Sequence, residues 1–124
     1  MMVGAAPVVT VTDIAKSVAY YRDALGFTVR FEYGAPTFYV CLCRDRVDIH
    51  LVAAGQTRRL PGNSGVVVFV DDVDGLHAEL VKRGAQVTKA PQNYDYGMRE
   101  FNVSDPDGNQ LFFGMSTERE KEAG

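Results

Sequence analysis

The sequence predicts an α+β fold of two tandem βαβββ modules that pair into one eight-stranded structure. Three observations carry this. A β-branched run followed by a helical pattern occurs twice, starting about half a chain apart. Each helical pattern is bracketed by an aspartate and a glycine, 13 residues apart in the first unit and 12 in the second. Each is then followed by strand-like segments.

The first unit opens with Val8-Val9-Thr10-Val11-Thr12, and Asp13 then begins a helix. Ile14, Val18, Tyr21 and Leu25 recur at helical spacing, and Gly26 closes the helix in a left-handed conformation. Residues 27–33, 37–42 and 47–53 read as strands, punctuated by Gly34-Ala35-Pro36 and Arg44-Asp45-Arg46. Residues 54–64, rich in Gly, Arg, Pro and Asn, form a linker. The second unit repeats the design with Val66-Val67-Val68-Phe69-Val70, then Asp72, Val73, Leu76 and Leu80, then Gly84. Its strands are expected over 85–89, 98–104 and 110–115. The last two meet at Asp105-Pro106-Asp107-Gly108, where proline presets one backbone angle and glycine supplies a positive one. The stretch from Pro91 to Gly97 reads as polar and flexible, and the charged tail 117–124 as frayed. The expectation is one domain over residues 1–124, with modules at about 5–53 and 65–116. A ferredoxin-like sandwich competes, but it needs fewer strands after each helix.

Composition narrows the function. At 46% hydrophobic the 124 residues can bury an ordinary core. No run approaches the roughly 18 apolar residues of a membrane span, and the N-terminus lacks the basic and apolar regions of a signal peptide. Cys41 and Cys43, the only cysteines, stand two apart, which argues against a disulfide framework. A cytoplasmic protein is expected. The net charge of −3 disfavours nucleic acid and favours cationic small molecules.

Two stretches resemble a known family. Pro7-Val8-Val9-Thr10-Val11-Thr12-Asp13-Ile14 with Tyr20-Tyr21-Arg22-Asp23-Ala24-Leu25-Gly26-Phe27 is similar to the opening of vicinal-oxygen-chelate proteins, the glyoxalase/bleomycin resistance protein/dioxygenase superfamily. Arg99-Glu100-Phe101-Asn102-Val103-Ser104-Asp105-Pro106-Asp107-Gly108-Asn109 is similar to its closing motif. The resemblance implies a half-open barrel with helices outside, a central cavity and a homodimer. Catalytic members chelate a divalent metal through side chains on the first and last strands of each module. Those positions fall on Ala6, His50, Gly65 and Phe112, of which only His50 is a ligand, where a stable site needs about three. The resemblance therefore lies with the bleomycin-resistance branch, which lacks these ligands and binds drug without altering it. Tyr96-Gly97-Met98-Arg99-Glu100-Phe101 looks like that branch's entrance to the penultimate strand, although the tryptophan often found near its cavity is absent.

Strand alternation sorts the side chains. With His50 facing the cavity, Asp48 and Val52 share its face; Gln110, Phe112 and Gly114 form the matching row, and Glu100 and Asn102 share one face of the preceding strand. The expected ligand-binding set is Asp48, His50, Glu100, Asn102, Gln110 and Phe112, with Tyr94 and Tyr96 stacking on a planar ligand; no metal and no cofactor are expected. For His50 a bond to Asp48 or to backbone competes with ligand contact. His77 reads as a flank residue, Arg99 as a surface charge, and Cys41 and Cys43 as packing groups on one strand face. No phosphate loop or nucleophile elbow is present. The expected function is antibiotic binding in a metal-free cavity. The alternative is a glyoxalase-type lyase or isomerase, or an extradiol dioxygenase, using a divalent metal or, without one, Glu100 or His50 as base; Asp48 and Glu100 are also considered as a carboxylate pair for acid–base work.

Overall fold

Capping and alternation act twice, in the same order. The computed structural model describes residues 1–117, so the tail expected over 117–124 lies, beyond Thr117, outside the described residues. The first module holds β1 (Val8–Val11), α1 (Ile14–Asp23), β2 (Thr28–Gly34), β3 (Thr37–Arg44) and β4 (Val47–Ala53). The second holds β5 (Gly65–Phe69), α2 (Val73–Arg83), β6 (Gln86–Tyr94), β7 (Met98–Ser104) and β8 (Gln110–Ser116). Asp13 caps α1 by accepting the Lys16 N–H at 3.0 Å, and Asp72 caps α2 by accepting the Gly75 N–H at 2.9 Å.

The helix ends explain the one-residue difference in spacing. Gly84, at φ 91°, closes α2 tightly, its N–H reaching Val81 O and that of Ala85 reaching Leu80 O. Gly26, at φ 76°, follows a wider closure in which Phe27 N–H reaches back to Tyr21 O. The extra residue is absorbed there.

The strands form two four-stranded sheets of identical order, β1-β4-β3-β2 and β5-β8-β7-β6. In each, the first strand runs parallel to the fourth, and the register repeats: Val8 stands opposite His50, and Val67 opposite Phe112. One apolar cluster draws on both modules, taking Val9, Leu42, Ile49 and Leu51 from the first and Val68, Phe101, Val103 and Leu111 from the second. Burying each such side chain contributes about 1.5–3 kcal/mol. The odd–even alternation within β4 and β8 therefore aims one row at this core and leaves the other on the opposite face.

Polar clamps tie the modules together. Asp105, 1% exposed, accepts the Tyr21 hydroxyl at 2.9 Å and the backbone N–H groups of Asp107 and Asn109. Burial together with the Asp105 charge pushes the Tyr21 phenol pKa up. Arg44, at the corresponding turn of the first module, donates to Leu25 O and to Glu79 on α2. Each turn thus grips the other module's helix or its own helix end. Among the described residues no helix is long and apolar enough to cross a membrane.

One strand departs from expectation. β6 runs to Tyr94, so most of the stretch expected to be flexible is ordered strand, with Gln92 paired to Glu100 and Asn93 to Arg99. The polar residues there reflect an edge strand facing water, and an edge is where Pro91 is tolerated without an N–H to donate. β3 likewise runs two residues further than expected, to Arg44.

Candidate functional site

Each sheet has one face turned away from the helices, and these faces carry the candidate residues. On the first, the register sets Cys41 opposite His50 and Cys43 opposite Asp48. His50 Nδ1 lies 2.8 Å from the Tyr39 hydroxyl, so its partner is neither Asp48 nor backbone. Asp48 accepts from Arg30 Nη1 at 3.2 Å. The negative charge expected from Asp48 is therefore offset by a neighbour. Arg30, Phe31, Cys41, Asp48, His50 and the segment 3–6 line an open pocket of about 540 Å³.

On the second face, Asn102 stands opposite Phe112, Glu100 opposite Gly114, and Ser104 opposite Gln110. Glu100 accepts the Tyr96 hydroxyl at 2.6 Å, and this bond to a carboxylate pushes the Tyr96 phenol up to about 12. The rings of Tyr94 and Tyr96 stack at 5.2 Å and 16°. Gln110 accepts from Thr88 at 3.0 Å. Val67 and Phe69 project from β5 beside this row, both exposed.

The eight expected site residues thus fall into two groups. Asp48 and His50 make their contacts within the first sheet, with Arg30 and Tyr39. Tyr94, Glu100, Asn102, Gln110 and Phe112 lie in the second, and Tyr96 in the turn between β6 and β7. The Asp48–Glu100 pair considered for acid–base work is split between the sheets. Arg30 and Tyr39 were not anticipated. Tyr39 could have been found, since it lies two residues before Cys41 on the same strand face. The other side chains fill ordinary structural roles: Arg99 grips Asp74 with two bonds of 3.0 and 2.8 Å, and His77 packs edge-on against Phe101.

A divalent metal of the family's catalytic kind does not fit these residues. Ala6 and Gly65 offer no donor atom, and a Cβ built on Gly65 would stand 3.1 Å from the Phe112 ring. The ring occupies the space into which a ligating side chain would project. Among the described residues no group of three or more His, Cys, Asp or Glu is placed to hold one ion.

Known proteins resemble this chain in sequence and fold. The profile of the Glyoxalase/Bleomycin resistance protein/Dioxygenase superfamily matches residues 5–113. A bleomycin resistance protein of Geobacillus stearothermophilus is 29% identical over 130 aligned residues, covering 90% of this chain and 96% of its own length. A superfamily member from Sphaerobacter thermophilus superposes with a TM-score of 0.80 at 26% identity, over 94% of this chain and 98% of the other. The bleomycin-binding protein of bleomycin-producing Streptomyces verticillus, solved with copper(II)-bleomycin, superposes with a TM-score of 0.77 at 26% identity, over 91% and 95% of the two chains.

Proposed function

This chain belongs to the glyoxalase/bleomycin resistance protein/dioxygenase superfamily, and we propose that within it the protein binds an antibiotic-like small molecule and holds it unchanged, without a metal. The observation that carries the reading is the Phe112 ring lying against Gly65 where a chelating pair would be needed. Similarity to bleomycin resistance proteins over 90% of the chain supports it.

The second sheet suits the flat, cationic part of such a ligand. Tyr94 and Tyr96 offer stacked rings, and an aromatic face attracts a cation by about 0.5–2 kcal/mol, depending on desolvation. Glu100 adds a carboxylate beside them, which speeds association and makes it salt-sensitive. Asn102 and Gln110 supply amides that fix orientation. His50 and Asp48 contribute from the first sheet.

The same reading includes a cytoplasmic homodimer. Val67 and Phe69 are 55% and 76% exposed on the ligand-facing side, and a second copy of the chain would cover them while completing the cavity. Sedimentation at micromolar concentration should show a dimer, and a single species at the 13.6 kDa of one chain would contradict it.

The test of the central reading is elemental analysis of protein purified without chelator, combined with recovery of incubated bleomycin. Expected are well below one transition metal per chain and an unmodified drug. Near-stoichiometric metal that disappears in His50→Ala would overturn the reading, as would conversion of a hemithioacetal or a catechol.

A further inference from the structure

The two modules deliver matching side chains through a matching irregularity. In β2, Thr28 pairs with Cys43, Val29 with Leu42 and then Phe31 with Cys41, so Arg30 is an extra residue in a bulge. In β6, Gln86 pairs with Ser104, Val87 with Val103 and then Lys89 with Asn102, so Thr88 is the extra residue. A bulge turns its side chain away from strict alternation. Both extra residues then reach the same place on the last strand of their module. Arg30 donates to Asp48, two residues before His50, and Thr88 donates to Gln110, two residues before Phe112. The geometry repeats, but the first module has made it charged.

The first-sheet pocket is rich in donors as a result. Asp48 takes only one guanidinium nitrogen, at 3.2 Å, and Arg30 remains 62% exposed, so this contact is weak and leaves most of the donor fork unused. Among the described residues Tyr39 has no acceptor other than His50 Nδ1. The Tyr39 hydroxyl and the His50 ring, bonded to each other at Nδ1, leave Nε2 as the ring nitrogen free to meet a ligand. Phe31 and the small residues Gly4, Ala5 and Ala6 supply an apolar wall.

We propose that this pocket binds the carboxylate of a small organic acid, with Arg30 as the residue that selects it. A carboxylate accepts two parallel N–H bonds from a guanidinium, a stronger arrangement than the single bond Asp48 makes. Asp48 holds Arg30 over the pocket and competes with the incoming acid. Carrying both sites, the protein suits a ligand with an acidic end on the first sheet and a cationic aromatic end on the second. The inference rests on the reading that these sheet faces bind small molecules.

Benzoate and benzamidine, of similar size and opposite charge, separate the two claims. Each is titrated into the full chain while backbone amides and the Arg30 Nε–H are followed by NMR. Benzoate should shift the Arg30 signal and amides of β2 and β4. Arg30→Gln should lower the preference for benzoate over benzamidine about tenfold, the loss of one bidentate contact. Asp48→Asn, which removes the competitor, should strengthen benzoate binding several-fold. Arg30 is exposed, so its replacement leaves the fold intact, which the amide spectrum verifies. Benzamidine binding on the second sheet without benzoate binding on the first would overturn this inference and leave the proposed function standing. So would an Arg30→Gln protein that takes benzoate as well as its parent. Binding of neither probe would overturn both.

Discussion

The two sheets share a backbone plan and differ in chemistry at every matching position of the rows turned away from the core. His50 corresponds to Phe112, Asp48 to Gln110, Cys41 to Asn102 and Tyr39 to Glu100, as their positions in the strand registers show. The first sheet pairs an arginine with an aspartate, and the second sets Glu100 beside two stacked tyrosines. The core-facing rows of the two sheets remain alike in character, aliphatic in β4 and aliphatic or aromatic in β8. Packing constrains one face of each sheet, because a hydrophobic surface must be buried for either module to be stable. The other face is free to diverge, and divergence there gives a repeated scaffold two unlike surfaces.

The largest effect should come from the turns that lock the modules. Asp105 and Arg44 occupy corresponding positions, but Asp105 is buried among donors while Arg44 is partly open to water. Asp105→Ala leaves the Tyr21 hydroxyl and two backbone N–H groups without an acceptor, and should cost about 4 kcal/mol. Arg44→Ala should cost about 1 kcal/mol, since the ion pair it loses is partly screened. Urea denaturation measures both, and equal losses would mean the modules lean on their turns equally.

The next effect concerns the rows themselves. Tyr96→Ala and Glu100→Gln should each weaken binding of an aromatic cation by about tenfold, in line with a cation–π contact and one charged partner. His50→Ala should weaken it less, because the proposed binding involves no metal bridge from that ring to a ligand. Raising salt should weaken the parent more than Glu100→Gln. A larger loss from His50→Ala than from Glu100→Gln would invert the roles assigned to the two sheets.

The fold was legible because its signals are local. Aspartate caps, closing glycines and alternating β-branched residues act within a few positions, and their repetition revealed both modules. The matching of His50 with Phe112 was legible for the same reason, since it needs only a count from the preceding turn. Arg30 was not. A bulge adds one residue to a strand without a sequence mark, and simple alternation sets Arg30 opposite in orientation to Phe31. The extension of β6 is not legible because the polarity of an edge strand resembles that of a loop. The contact between Asp48 and Arg30 spans two strands that are not neighbours in the sheet, which no pattern along the chain reports.

A smaller effect probes the second sheet alone. With the Tyr96 phenol raised to about 12 by its bond to Glu100, the phenol stays protonated and bonded through neutral and mildly alkaline pH. The bond is lost as pH rises through that value. Spectroscopic titration should find Tyr96 among the late-ionising tyrosines of the parent, with the buried Tyr21, and Glu100→Gln should return one of these late ionisations towards the ordinary range near 10. Identical titration curves would separate Tyr96 from Glu100 in solution.

The measurement that bears most directly on the account is calorimetric titration of the purified protein with metal-free bleomycin. The account predicts a saturable heat that persists in the presence of chelator and weakens in Glu100→Gln, with the drug recovered intact. No heat at saturating drug, or a heat that chelator abolishes, would contradict a metal-free binding cavity.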